Sequence, residues 1–510
     1  MGLSGGNWLV GTIARKNFTS VQQILEEGVL WNLEHLIINY GGIHLLKKYD
    51  YYSSISDDLT SKKDAGFDLT LTDTWGRMLS YQFLSNLTDG GSGLTWSTLQ
   101  DMDPFTSHEM PFPIVVADGR TPNSQIINGN SSVFEFNAFE MGSWDPSLNQ
   151  FTKVKYLGTN TTDGEHNGTC VGGFDNAGYV MGTSSSLFNQ FVLQINTTSI
   201  PSMLKSLITH FLDEISSKDD DIASYTPNPF YGTEVGTLLL IPKNDTLYLV
   251  DGGEDGQNIP LQPLIQPERK VDVIFAYDNS ADTDQSWPNG TSLVATYERQ
   301  FLKQGNGTAF PYVPDQATFR NLNLTAKPAF FGCDATNLTS LLHTAENVGN
   351  GTYSNGTGVD SNIPLVVYTA NRPFTFWSNT STFKLSYEDW EKYGMIKNGY
   401  ETASRLNQTL DTEWAACVGC AIIRREQERQ GIEQSDQCKQ CFLRYCWNGD
   451  YDTGSAELNF TLTGTTDGPE DDGNRTVSAG YSVVLLSGAA PFIKALMYAL
   501  LTMVVFGYSI

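Results

Sequence analysis

The chain has 510 residues, and 57 acidic side chains against 31 basic ones leave a net charge of −26 at pH 7. That balance excludes a protein held to nucleic acid by its lysines and arginines, and it fits one that works in acid or stays soluble outside the cell. With 40% apolar and 12% aromatic residues, 47 glycines and 20 prolines, the chain is neither disordered nor fibrous, and its length allows one large core or two to three ordinary ones.

The first residues, Gly2-Leu3-Ser4-Gly5-Gly6, have the spacing of a nucleophile turn. There a serine sits on a strained bend between a strand and a helix, and glycines flank it so that the two elements can approach closely. The helix that follows would aim N–H groups, that of Gly5 first, at a developing oxyanion. The strand before the serine would have to be Met1 and Gly2 alone, and residues 1–20 show no secretory signal. The sequence is therefore expected to start at an internal methionine, with its true N-terminus missing.

Further along, "SVQQILEEGVLWNLEHLI" reads as a helix, with Ser20 and Gln23 forming a capping box. A second helical pattern is "SMLKSLITHFLDEI" at 202–215. Strand-like apolar runs fall at 111–120, 132–144, 245–253 and 270–281. Strands mixed with helices make an α/β protein. The run at 245–253 ends in Asp251-Gly252-Gly253. A carboxylate there, with glycines leaving room beside it, suits a base that takes the serine proton directly, without a histidine between. None of His35, His44, His108, His166, His210 and His343 stands in a triad-like motif.

Of the seven cysteines, Cys417, Cys420, Cys438 and Cys441 spell Cys-x2-Cys-x17-Cys-x2-Cys, a spacing that a zinc site can also use. Both pairs lie in helical segments, 412–431 and 436–447, and cysteines three apart share a helix face. Two antiparallel helices stapled by disulfides are the expected arrangement, with Cys446 a further candidate, and an odd cysteine would need a partner outside the chain. Oxidised cysteines imply a secretory route.

So do seventeen Asn-X-Ser/Thr sequons, at Asn17, Asn86, Asn130, Asn160, Asn167, Asn196, Asn244, Asn289, Asn306, Asn323, Asn337, Asn350, Asn355, Asn379, Asn407, Asn459 and Asn474, out of thirty-five asparagines. Residues 1–460 read as one catalytic domain and 461–480 as a polar linker. Residues 481–510 form an apolar tail broken by Lys494. Small residues at Ser478-Ala479-Gly480 or Ser487-Gly488-Ala489 before that tail give the layout of a GPI-anchor signal. A membrane-spanning helix from about Ser482 and a plain secreted tail are the alternatives.

The turn "GLSGGNWL" at 2–9 resembles the lipase motif of the fungal phospholipase B/lysophospholipase family. "TLTDTWGRMLSYQF" (70–83), "MPFPIVVADGR" (110–120), "FEFNAFEMGSWDP" (134–146), "VDGGEDGQNIPLQPLIQPERKVDVIFAYDNSAD" (250–282) and the cysteine-rich segment extend the match over residues 1–450. The resemblance implies a three-layer α/β/α lipase core related to cytosolic phospholipase A-two and patatin. It also implies Ser4 as nucleophile, Asp251 as its base, lysophospholipid as substrate, and no metal or organic cofactor. Family members are secreted or GPI-anchored glycoproteins. The family also carries a glycine-rich oxyanion loop and an arginine before the serine, which residues 1–3 do not supply, so the chain starting at Met1 is expected to be inactive. Two further readings are a non-catalytic surface glycoprotein that kept the fold and an intracellular zinc protein.

Overall fold

The computed structural model describes residues 1–35, 45–84, 90–121, 127–187, 222–234, 241–305, 308–338, 341, 363–382 and 384–454. The helix expected at 202–215, the linker and the tail lie outside them. So do Asn86, Asn196, Asn306, Asn350, Asn355, Asn459 and Asn474.

Two sheets organise the chain. The first has the order β4-β3-β2-β1-β8-β7, from β1 (Val115–Gly119), β2 (Val133–Phe136), β3 (Glu140–Ser143), β4 (Gln150–Lys153), β7 (Ala223–Tyr225) and β8 (Leu247–Asp251). All its strand pairs are antiparallel. A small hairpin, β5 (Thr161–Thr162) and β6 (Glu165–His166), stands apart. The run at 132–144 is a hairpin rather than one strand, because the Asn137 side chain accepts the N–H groups of Phe139 and Glu140 and turns the chain.

Alternation divides the faces of this sheet. Val115 and Ala117, Phe134 and Phe136, and Leu247 and Leu249 point into the main core. There they meet helices α1 (Ser4–Arg15), α4 (Leu71–Phe83) and α6 (Ala177–Thr183). Of the helix expected across 20–37, the described residues are helical only over α2 (Val21–Glu27). Ser20 accepts the Gln23 N–H at its start, and Gly28 closes it at φ 64°. Helices α3 (Leu45–Asp64) and α5 (Asp103–Thr106) complete this half.

The second sheet, β10-β11-β9, joins β10 (Ala329–Phe331), β11 (Leu365–Ala370) and β9 (Val273–Asp278), with β11 and β9 parallel. Every residue of β11 is buried, as a strand covered on both faces requires. Val366, Tyr368 and Ala370 pack with α7 (Thr291–Arg299) and α8 (Gln316–Asn321). Leu365 and Val367 pack against α10 (Trp414–Gln430) and α11 (Asp436–Tyr445) on the other face. Helices on both faces give the expected three layers. Helix α9 (Asp389–Ser404) flanks β11.

The cysteines pair as Cys417–Cys441 and Cys420–Cys438 between α10 and α11. Disulfides occupy all four, which corrects the zinc alternative. Cys446 pairs with Cys333, 113 residues earlier, and Cys170 is free and exposed.

Candidate active site

Residues 1–3 supply the end of the strand that the turn requires. The Gly2 N–H donates to the Ile114 carbonyl at 3.0 Å, and the Val116 N–H donates to the Gly2 carbonyl at 3.2 Å. Gly2 thus runs parallel to β1 opposite Val115. On the same flank of β1, β8 arrives from the other direction, with Asp251 opposite Ala117. The two segments converge, and Ser4 and Asp251 are brought together where they end.

Ser4 opens α1 in the left-handed region, at φ 46°, a strained conformation for a residue with a side chain. Gly2 permits it, because a Cβ there would lie 2.6 Å from the backbone of Gly6. Gly6 has open space around it, so only one of the two expected flanking glycines is sterically required. The first-turn N–H of Gly5 has no intrahelical acceptor, and Gly5 is exposed. It can serve an oxyanion formed beside Ser4.

Asp251 is buried at the end of β8, with 1% of its surface exposed. Its Oδ1 accepts the Gly253 N–H at 2.8 Å, while Oδ2 has no full hydrogen bond. Burial pushes its pKa up to about 7; the Gly253 N–H and then the Ser4 hydroxyl pull it down, and the charge of Asp255 adds a smaller upward push. The Ser4 hydroxyl thus lies near enough to the carboxylate to lower its pKa, while Oδ2 makes no full hydrogen bond, as is common for such groups before substrate binds. Gly252 lets the chain leave across β1, since a Cβ there would stand 2.4 Å from the Val116 carbonyl oxygen. His35, His108 and His166, the described histidines, are all exposed.

Sequence reading missed the residues that hold these two groups in register. The Ser184 carbonyl, just past α6, accepts the Ser4 N–H at 3.0 Å and the Gly252 N–H at 3.4 Å. Its hydroxyl donates to the Val116 carbonyl at 2.6 Å. One residue thereby joins the Ser4 turn, the Asp251 turn and β1. Asn7, fully buried, donates to the Ser4 and Met181 carbonyls at 2.8 and 3.1 Å. The indoles of Trp8 and Trp75 both donate to Ser185 at 3.1 Å. A serine in "MGTSSS" carries no motif that would have singled it out.

The family described as lysophospholipase catalytic domain matches residues 1–452. The chain belongs to that family. It is 53% identical over 484 residues to lysophospholipase 1 of Candida albicans, covering 94% of this chain and 76% of that protein. A lysophospholipase of Torulaspora delbrueckii is 55% identical over 460 residues, covering 88% of this chain and 68% of that one. Among solved structures, human GIVD cytosolic phospholipase A2 aligns with 84% of this chain at a TM-score of 0.55 and 14% identity. The chain spans 56% of that protein, and the likeness bears on the fold, which it shares.

Proposed function

We propose that the protein is a secreted lysophospholipase using a Ser4–Asp251 pair. The observation that carries this reading is the convergence of the strained Ser4 turn and the buried Asp251 carboxylate on one flank of β1. Asp251 takes the proton of the Ser4 hydroxyl as its oxygen bonds to the acyl carbon of the ester. The Gly5 N–H donates to the resulting oxyanion. The carbon–oxygen bond to the glycerophospho group then breaks, and the departing alkoxide takes the proton back from Asp251. A water, deprotonated by the same carboxylate, attacks the acyl-Ser4 ester; the bond from the acyl carbon to the Ser4 oxygen breaks, that oxygen takes the proton back from Asp251, and the fatty acid is released. Cleavage of diacyl phospholipids at both positions would use the same cycle.

A fluorophosphonate with a lipid-like chain tests the reading on the product of the whole gene. It should label Ser4, found by peptide mapping, and block hydrolysis of lysophosphatidylcholine in proportion. Hydrolysis that survives complete labelling would sink it.

The base must be ionised to act, and its pKa lies at about 7. Below that value kcat/KM is expected to fall about tenfold per pH unit. Stability follows the opposite sign at this residue. A carboxyl whose folded pKa exceeds its unfolded one binds more protons when folded, so acidifying from pH 7 towards 4 stabilises through Asp251 while activity is lost. A flat kcat/KM between pH 5 and 8 would contradict the assignment.

Glycosylation and an extracellular setting belong to the same proposal. Each described sequon asparagine is exposed or half-exposed, and the three disulfides suit an oxidising compartment. Enzymatic deglycosylation in heavy-oxygen water should convert Asn17, Asn160, Asn167 and Asn337 to labelled aspartate. Unconverted asparagine at all four would remove the support. The anchor at 481–510 is proposed on its sequence alone.

A further inference from the structure

Around the Asp251 turn lie carboxyl groups that the ester chemistry does not use. Asp118 is fully buried on β1, one residue beyond the partner of Asp251. Its Oδ2 accepts the Asp255 N–H at 3.0 Å, while its Oδ1 has no hydrogen-bond partner. Asp255 accepts the backbone N–H of Gln257 at 2.9 Å and its side-chain amide at 2.5 Å. It also faces the Arg299 guanidinium of α7. That guanidinium is already committed, donating to both oxygens of Asp145 at 3.2 and 2.7 Å and to the Ser131 carbonyl at 2.9 Å. Asp118, Asp251 and Asp255 are thus buried together, and the guanidinium that faces them, that of Arg299, is already held by a fourth acid, Asp145.

They cannot all be charged there. Asp255 has two donors and faces Arg299, and Asp251 has the Gly253 N–H and the Ser4 hydroxyl. Asp118 has one N–H and only a share of the Arg299 charge, which Asp145 and Asp255 draw on more strongly; burial first, then the like charges of Asp255, Asp251 and Glu254, push its pKa well up. A neutral carboxyl oxygen without a partner costs far less in such a site than an anionic one.

We propose that Asp118 is a positioning residue for the catalytic base: an un-ionised carboxyl that grips the Asp255 N–H and ties the Asp251–Gln257 turn to β1 without setting a second negative charge beside Asp251. The inference rests on the Ser4–Asp251 reading for its consequence, though not for its protonation state.

The test compares Asp118→Ala with Asp118→Asn in the whole gene product. Alanine orphans the Asp255 N–H and frees the turn. It should lower kcat, and the first-order rate of fluorophosphonate labelling at Ser4, by about 10–100-fold. KM should stay within about threefold, and the fraction of molecules that label should not change. Asparagine imitates the protonated acid, accepts the same N–H and should restore most of the lost rate, with the acid limb of kcat/KM unmoved. The infrared difference between wild type and Asp118→Asn at pH 8.5 should show a protonated carboxyl band, and it should do so in a Ser4→Ala background as well.

If the alanine variant does not fold, the infrared band and the pH limb of Asp118→Asn still decide. A missing band, an acid limb displaced downward in Asp118→Asn, or equal loss in both variants would overturn the proposal. Hydrolysis that persists in Ser4→Ala with the band present would instead overturn the dyad.

Discussion

Asp251→Asn is expected to lower kcat on lysophosphatidylcholine by about 10²–10⁴, with little change in KM. The amide oxygen of asparagine can still accept the Gly253 N–H that Asp251 Oδ1 accepts at 2.8 Å, so the turn keeps its shape. What is lost is the atom able to take the Ser4 proton. No described histidine lies at hand to replace it, since His35, His108 and His166 are exposed. Ser4→Ala removes the hydroxyl proposed as nucleophile and should fall at least as far. Because the two groups act as a unit, the double variant should be no slower than the worse single one. Kinetics of the three variants, with fluorophosphonate labelling rates beside them, check this. Labelling of Ser4 at the wild-type rate in Asp251→Asn would show that another group activates the serine.

The parts of this site readable in sequence are those whose chemistry is compressed into a few adjacent residues. Gly2-x-Ser4 announces a strained turn because the backbone has to bend sharply within one residue, and the φ of 46° at Ser4 is that bend. Asp251-Gly252-Gly253 announces a carboxylate at a strand end because Gly252 has to cross β1. The stapled helices were legible for a similar reason, since a three-residue spacing puts both cysteines of each helix on one face.

What sequence did not disclose was brought together from far apart. Ser184 serves Ser4 through its main-chain carbonyl, a group every residue possesses, so no side-chain pattern could mark it. Asp118 sits in "VVADGR" like any strand-end aspartate, and its meaning comes from Asp255, 137 positions later. The pairing of Cys446 with Cys333 depends on β10 lying beside the end of α11, where the Trp447 N–H donates to the Phe330 carbonyl at 3.0 Å. Length also misled. The apolar pattern continues past residue 28, but Gly28 takes a left-handed conformation that ends the helix.

The same bridge carries the second large effect expected here. Replacing Cys333 and Cys446 together by serine should cost about 4–5 kcal/mol, because chain entropy in the unfolded state grows with the loop that a bridge closes. That loop spans 113 residues, against 24 for Cys417–Cys441 and 18 for Cys420–Cys438, for which the same arithmetic gives about 3 kcal/mol each. The two short bridges also back each other up, since either alone keeps α10 against α11. Nothing covalent replaces Cys333–Cys446 among the described residues. A loss of this size is a large share of the stability of a typical domain, so the double variant should unfold at clearly lower guanidinium concentration than one lacking Cys417 and Cys441. Activity at 25 °C should nonetheless persist in the molecules that remain folded. Ser4, Ser184 and Asp251 are all held by β1 and its neighbours in the first sheet, whereas the bridge ties the second sheet to α11. Equal midpoints for the two variants would show that the long loop is already restrained in the unfolded chain. A fall in kcat per labelled Ser4 would show that the second sheet reaches the site more directly than its hydrogen bonds indicate.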